Sequence, residues 1–227
     1  MQSIAFELHK LFNSQKRYYF PFREYKHEMP YNGIYIIFEH GEKYLKFDRV
    51  VRVGTHTGNN QLYSRLNQHY MKENKNRSIF RKNIGRCILN KENNPYLKIW
   101  DLDTTSAEVK KINSHLVDVG FEKQIERLIT KYIQENLSFC VFRIDDKEQR
   151  LFWESKIAST LAQSNELIPS SGWLGNYSPK EKIRASGLWQ VNGLDGECLK
   201  EKEFEELETI INSKRDMLEN CTNHDNL

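Results

Sequence analysis

Arg65 and His69 stand four residues apart in the stretch QLYSRLNQHYMK, so a helix there stacks them on one face. A guanidinium fork and an imidazole projecting together can grip a phosphate and handle a proton. That face is displaced from the Leu62 and Leu66 stripe, and for the pair taken alone a solvated helix face is the plainer reading. Glu154, in LFWESKIASTLA, shares a helical face with Leu151, Ala158 and Leu161. A carboxylate on an apolar stripe must be paired or bind a metal; a salt bridge to a core arginine or lysine and a metal ligand are both open. Tyr35 alternates with Ile34 and Ile36 along an apolar run, where the plainest reading is a core tyrosine whose hydroxyl finds a backbone partner. In NRSIFRKNIGR, Arg77, Arg81, Lys82 and Arg86 form the densest basic patch of the chain. It fits contact with a phosphate backbone, or a charged surface helix.

These residues must be positioned by a chain of 227 residues, enough to bury a real core. With 38% hydrophobic and 29% charged residues, the chain reads as globular with a heavily charged surface. No apolar run approaches the roughly 18 residues of a membrane span, and the N-terminus MQSIAFELHKLF is too mixed for a signal peptide. Cys87, Cys140, Cys198 and Cys221 have no paired spacing, so neither a zinc knuckle nor a disulfide framework is expected, and a cytoplasmic location fits best. A net charge of +3 is a weak argument for nucleic acid taken alone.

The pattern predicts a short helix over residues 3–12, then the aromatic stretch RYYFPFREY. Strands follow at 33–38 and 49–54, joined as a hairpin whose turn includes His40 and Gly41. Helices are expected over 61–72, 77–89, 107–116 and 121–135, with a short strand at 95–100. The helix at 77–89 should bury Phe80, Ile84 and Ile88; that at 121–135 carries Phe121, Ile125, Leu128, Ile129 and Tyr132 at helical spacing. Residues 138–144 alternate as a strand, 151–162 return to helix, and a Gly, Pro and Ser-rich loop runs over 169–196. The charged tail over 199–219 reads as an amphipathic helix with Phe204, Leu207, Ile211 and Leu218 on one side. This implies an extension over 1–30, a domain over 31–196 with a helical insertion at about 78–136, and a C-terminal helix and tail over 197–227.

Taken in order, these stretches resemble the GIY-YIG nuclease superfamily. Gly33, Ile34 and Tyr35 match its first triplet, and Arg52, Val53 and Gly54 stand where the second, Tyr-Ile-Gly, should be. Arg65 and His69 match its helix pair, and Glu154 its metal-binding glutamate. Asn176, in GWLGNYSP, matches the asparagine that follows in several members, with Asn192 as a rival. The resemblance covers roughly residues 31–178. RSIFRKNIG and SGWLGNYSPKEKIRASGLW are also similar to segments of uncharacterised bacterial members. It implies an α/β (α+β) fold: a small three-stranded antiparallel sheet flanked by helices, here with a helical insertion and a C-terminal helix.

The resemblance also implies a DNA endonuclease using one Mg²⁺ (or Mn²⁺) per active site, with Glu154 as metal ligand, Arg65 on the phosphate and Tyr35 taking the proton from water. His69 would relay that proton, with His56 a second candidate for the relay. Arg52 departs from the family tyrosine. A guanidinium stays protonated, so Arg52 is no general base but can hold a phosphate or favour a neighbouring phenolate. Some restriction enzymes of the family also carry a basic residue there, and restriction-type members often act as dimers or tetramers, so a homo-oligomer is an expectation. Two other readings stay open: a repair or structure-specific nuclease, and a nucleic-acid-binding module of the same fold without catalysis. Duplex DNA is the expected partner, without a membrane.

Overall fold

GIYIIF forms the central strand and RVVRVG the strand beside it, because β-branched and aromatic residues suit a pleated surface covered on both sides. The computed structural model describes residues 2–102 and 106–222, without the side chains of 107, 110 and 213–222. Strand β1 (Gly33–Tyr44) pairs antiparallel with β2 (Phe47–Gly54) and with β3 (Leu137–Arg143), giving the order β2-β1-β3. Around them run α1 (Ile4–Asn13), α2 (Leu62–Tyr70), α3 (Ile79–Lys91), α4 (Leu97–Trp100), α5 (Ala107–Asn113), α6 (Val119–Asn136), α7 (Lys147–Ala162), α8 (Glu181–Ser186) and α9 (Glu201–Thr222). The three-stranded antiparallel sheet flanked by helices is an α+β fold.

Two irregularities aim the site. The hairpin turns at Leu45 and Lys46, not at His40 and Gly41. Gly41, at φ 85°, instead lies within β1 where its register with β2 shifts. Glycine accepts that left-handed backbone without steric cost, so the strand runs on past it. Further in, Ile37 pairs with Arg52 but Phe38 pairs with Val50, leaving Val51 as a bulge. Because Tyr35 pairs with Gly54 and Ile37 with Arg52, these four residues share one face of the sheet.

That face is covered by α2, α3 and α6, through Leu62, Leu66, Phe80, Ile84 and Ile129, together with Trp173 and Trp189. The opposite face carries Ile34, Ile36 and Val53 against Leu8, Phe12, Ile157, Leu161 and Leu207, so α1, α7 and α9 all belong to this second core. His9 stitches α1 to β2. Its Nδ1–H donates to the Ala5 carbonyl at 2.7 Å, and its Nε2 accepts the Val50 N–H at 3.1 Å. Burial pushes this imidazole down to about 4.

Several expectations need correction. Residues 95–100 hold the short helix α4 rather than a strand, its Trp100 indole donating to the Lys82 carbonyl at 3.0 Å. In α6, Leu128 is exposed and Ile133 is buried with Ile125 and Ile129. In α7, Leu151 faces solvent; Trp153, Ile157 and Leu161 form the buried stripe. Leu218 and Cys221 lie outside the described side chains, while Cys87, Cys140 and Cys198 are free thiols. Among the described residues no helix is long and apolar enough to cross a membrane.

Candidate active site

The two triplet glycines are there for close approach. A Cβ on Gly54 would lie 2.3 Å from the Tyr35 Cζ and hydroxyl, so the ring of Tyr35 lies flat against its partner on β2 only because that partner is glycine. A Cβ on Gly33 would lie 2.2 Å from the Phe142 carbonyl oxygen of β3. Tyr35 is thereby fixed, fully buried, with its hydroxyl 2.8 Å from His69 Nε2.

His69, at the end of α2, is itself bracketed. Its Nδ1 lies 2.8 Å from the Ser78 hydroxyl, the N-cap of α3, which also accepts the Arg81 N–H at 3.2 Å. The ring meets Phe80 edge-on at 5.3 Å. Burial first, then the guanidiniums of Arg52, Arg65 and Arg81, push its pKa well below the usual imidazole range. His69 is therefore neutral near pH 7, with one ring nitrogen to donate and one to accept.

Arg52 stands on the same face, 6% exposed. Its Nη1 donates to the Trp189 carbonyl at 2.5 Å, and its guanidinium lies 4.9 Å from the Phe80 ring centroid. Its Nε is buried without a hydrogen-bond partner. Arg65, half-buried, donates to Gln68 Oε1 at 3.0 Å and to the Arg77 carbonyl at 3.2 Å. Glu154 reaches the site from α7, on the other side of the sheet, past the end of β2. Burial pushes its pKa up, against the opposing pull of Arg52, the Thr55 main-chain N–H and Arg65. Among the described residues its carboxylate makes no ion pair. Tyr35, His69, Arg52, Arg65 and Glu154 thus come together from β1, α2, β2 and α7. The result is a base-capable hydroxyl–imidazole pair beside two guanidiniums, Arg52 and Arg65, that form no close ion pair among the described residues.

A single carboxylate oxygen donor suits a hard cation such as Mg²⁺, which keeps several waters and takes few protein ligands. Among the described residues there is no cluster of three or more His, Cys, Asp or Glu side chains to form an all-protein cage. Glu154, unpaired and facing cations, fits a site completed by water and substrate oxygens.

Other candidates are engaged elsewhere. His56 is braced at both nitrogens: Nδ1–H donates to the Gly58 carbonyl at 2.7 Å, and Nε2 accepts the Gly33 N–H at 3.3 Å. These bonds fix the strand end. Asn176 donates to the Ser170 carbonyl at 2.8 Å and closes its own loop; Asn192 is exposed, its carbonyl accepting from Gln190 at 3.3 Å. The basic patch of α3 does not form one surface. Arg81 is buried and donates to Glu126 Oε2 from both Nη2 and Nε, at 2.6 and 3.0 Å. Arg86 pairs with Asp101 at 2.5 Å, and Lys82 donates to the Asp101 carbonyl at 3.0 Å. Of the four, Arg77 is exposed. The reason is that α3 packs between α4 and α6, whose acids and carbonyls take its cations.

Sequence reasoning missed Ser78, Glu126 and the Trp189 carbonyl. Ser78 had a signal, as a serine opening a helical run. Glu126 had a weaker one, an acid within a helical stripe. The Trp189 carbonyl had none, because main-chain groups are the same in every residue.

A small antiparallel sheet with a tyrosine and a glycine on adjacent strands, an Arg-x-x-x-His helix beside them and a glutamate from a later helix defines a class of α+β nuclease-type domains. A family model described as the GIY-YIG domain matches residues 6–217, and the chain belongs to the GIY-YIG superfamily, whose members are generally endonucleases. The searches of curated proteins and of solved structures returned no match.

Proposed function

We propose that the protein is a divalent-metal-dependent DNA endonuclease. The observation that carries this is the Tyr35–His69 hydrogen bond of 2.8 Å set beside Arg52, whose buried Nε has no partner, and the unpaired Glu154. Hydrolysis of a phosphodiester needs an activated water, stabilised charge at phosphorus and help for the leaving oxygen. Tyr35 takes the proton of the attacking water. In the tautomer with the proton on Nδ1, His69 donates to the Ser78 hydroxyl and its Nε2 accepts the Tyr35 O–H, so Tyr35 passes its own proton to Nε2 as it takes that of the water. Arg65 and Arg52 hold the phosphate oxygens and oppose their charge. Glu154 would hold one Mg²⁺ or Mn²⁺, which when bound neutralises the scissile phosphate and the leaving oxygen.

Arg52 at the position of the family tyrosine is compatible with a restriction-type enzyme, since some restriction members of the family carry a basic residue there. The same residue favours a second reading, a nucleic-acid-binding module without catalysis. Retention of Tyr35, His69, Arg65 and Glu154 in one site weighs against it. The test is cleavage of supercoiled plasmid with Mg²⁺ or EDTA, beside Tyr35→Phe. Cutting that needs Mg²⁺ and is lost in Tyr35→Phe is expected; wild-type cutting by Tyr35→Phe would overturn the assignment.

A further inference from the structure

Arg52 is a buried cation with no carboxylate at ion-pair distance among the described residues, and its Nε donor is idle there. Such a group is costly unless an anion arrives to complete it. What holds it in that state comes from more than a hundred residues away. Residues 187–190 lie along the outer edge of β2. Arg49 Nη1 donates to the Gly187 carbonyl at 2.6 Å, the Trp189 N–H to the Val51 carbonyl at 2.7 Å, and the Val53 N–H to Gln190 Oε1 at 3.1 Å. In the middle of this arm the Trp189 carbonyl takes Arg52 Nη1 at 2.5 Å.

The arm has its own anchor. The indole N–H groups of Trp189 and Trp173 both donate to Glu39 Oε2 at 2.9 Å, and the Tyr132 hydroxyl donates to Oε1. Glu39 is a β1 residue, buried at 6% exposure, four positions along from Tyr35. One strand therefore carries both the proposed base and the anchor of the arm that sets Arg52.

We propose that residues 187–190, pinned by Glu39 through Trp189, build Arg52 into a preformed oxyanion site for the phosphodiester substrate, with Trp189 and Glu39 as positioning residues. This rests on the nuclease reading above. Covering the edge of β2 would explain the main-chain contacts of the arm. It does not explain why the carbonyl at its centre is given to a guanidinium with a donor left over.

The test is a double-mutant cycle read by single-turnover cleavage of duplex DNA with Mg²⁺, with thermal melts as the folding check. Arg52→Gln should slow cleavage about 100-fold and Trp189→Phe, which keeps the carbonyl but loses the Glu39 anchor, about tenfold. Acting through Arg52, Trp189→Phe should cost nothing further in the Arg52→Gln background, so the double variant should match Arg52→Gln within about twofold. Multiplying losses, about 1000-fold together, or a wild-type rate in Trp189→Phe, would overturn the proposal. Should Trp189→Phe fail to fold, Glu39→Gln replaces it in the same cycle. If the wild type cuts nothing, the nuclease reading fails, and the cycle is read instead by binding of a duplex oligonucleotide in EDTA. Non-additive losses there support the arm; additive losses or no binding overturn it.

Discussion

Arg81 and Arg52 are both buried on the same side of the sheet, each with a glutamate among its neighbours. Arg81 uses all three guanidinium nitrogens: on Glu126, on the His69 carbonyl at 2.9 Å and on Thr130 Oγ1 at 2.7 Å. Arg52 has one carbonyl and one aromatic ring, and its electrostatic neighbour Glu154 is not paired with it. The first arrangement joins α2, α3 and α6 and holds His69 in place. The second keeps two opposite charges apart, each with capacity left for something else. A satisfied buried ion pair is structure; an unsatisfied one beside a tyrosine–histidine pair is where a charged substrate gains most.

Breaking the satisfied pair should have the largest effect on stability. Glu126→Ala leaves Arg81 as an uncompensated buried charge and should lower unfolding free energy by about 3–5 kcal/mol in urea titrations. A loss below about 1 kcal/mol would mean that Arg81 is as tolerant as Arg52. Protons probe the same contrast. His9 is bonded to main chain at both nitrogens, and its folded pKa is depressed to about 4 from 6.5. A depressed value means the unfolded chain binds the proton more readily. This contribution, about 3 kcal/mol, is therefore fully present above pH 6.5 and is lost as pH falls through 6.5 toward 4. Urea midpoints measured across that window should drop, and His9→Gln should flatten the decline.

Arg52→Gln sharpens the comparison from the other side. Cleavage should fall about 100-fold, near 2.7 kcal/mol, while stability changes by less than about 1 kcal/mol. A large loss of stability would place Arg52 with Arg81. The smallest effect is expected at Arg77, the exposed cation just before α3. Arg77→Ala should weaken DNA binding about threefold at low salt, with the difference fading as salt rises.

How far the sequence carried this contrast can be judged residue by residue. Tyr35, Gly54, Arg65, His69 and Glu154 were legible, because their types, order and spacing all follow from one geometry. The sheet was legible in its apolar runs, apart from Gly41, where a left-handed glycine sits inside a strand instead of at its turn. The difference between Arg81 and Arg52 was not legible. Both are arginines in apolar company, and their fates depend on partners more than 40 residues away, Glu126 in one case and a carbonyl in the other. Charge density along α3 pointed to a surface for the same reason: one helix read alone does not show what packs against it.

The central claim is that Glu154 is kept unpaired for catalysis and not for folding. Glu154→Gln keeps the shape and removes the charge, and its plasmid cleavage with Mg²⁺ measured beside its melting temperature tests this most directly. We predict loss of cutting by at least about 1000-fold with melting unchanged or raised, since burial already disfavours the charged carboxylate. Wild-type cutting by a folded Glu154→Gln protein would contradict the account.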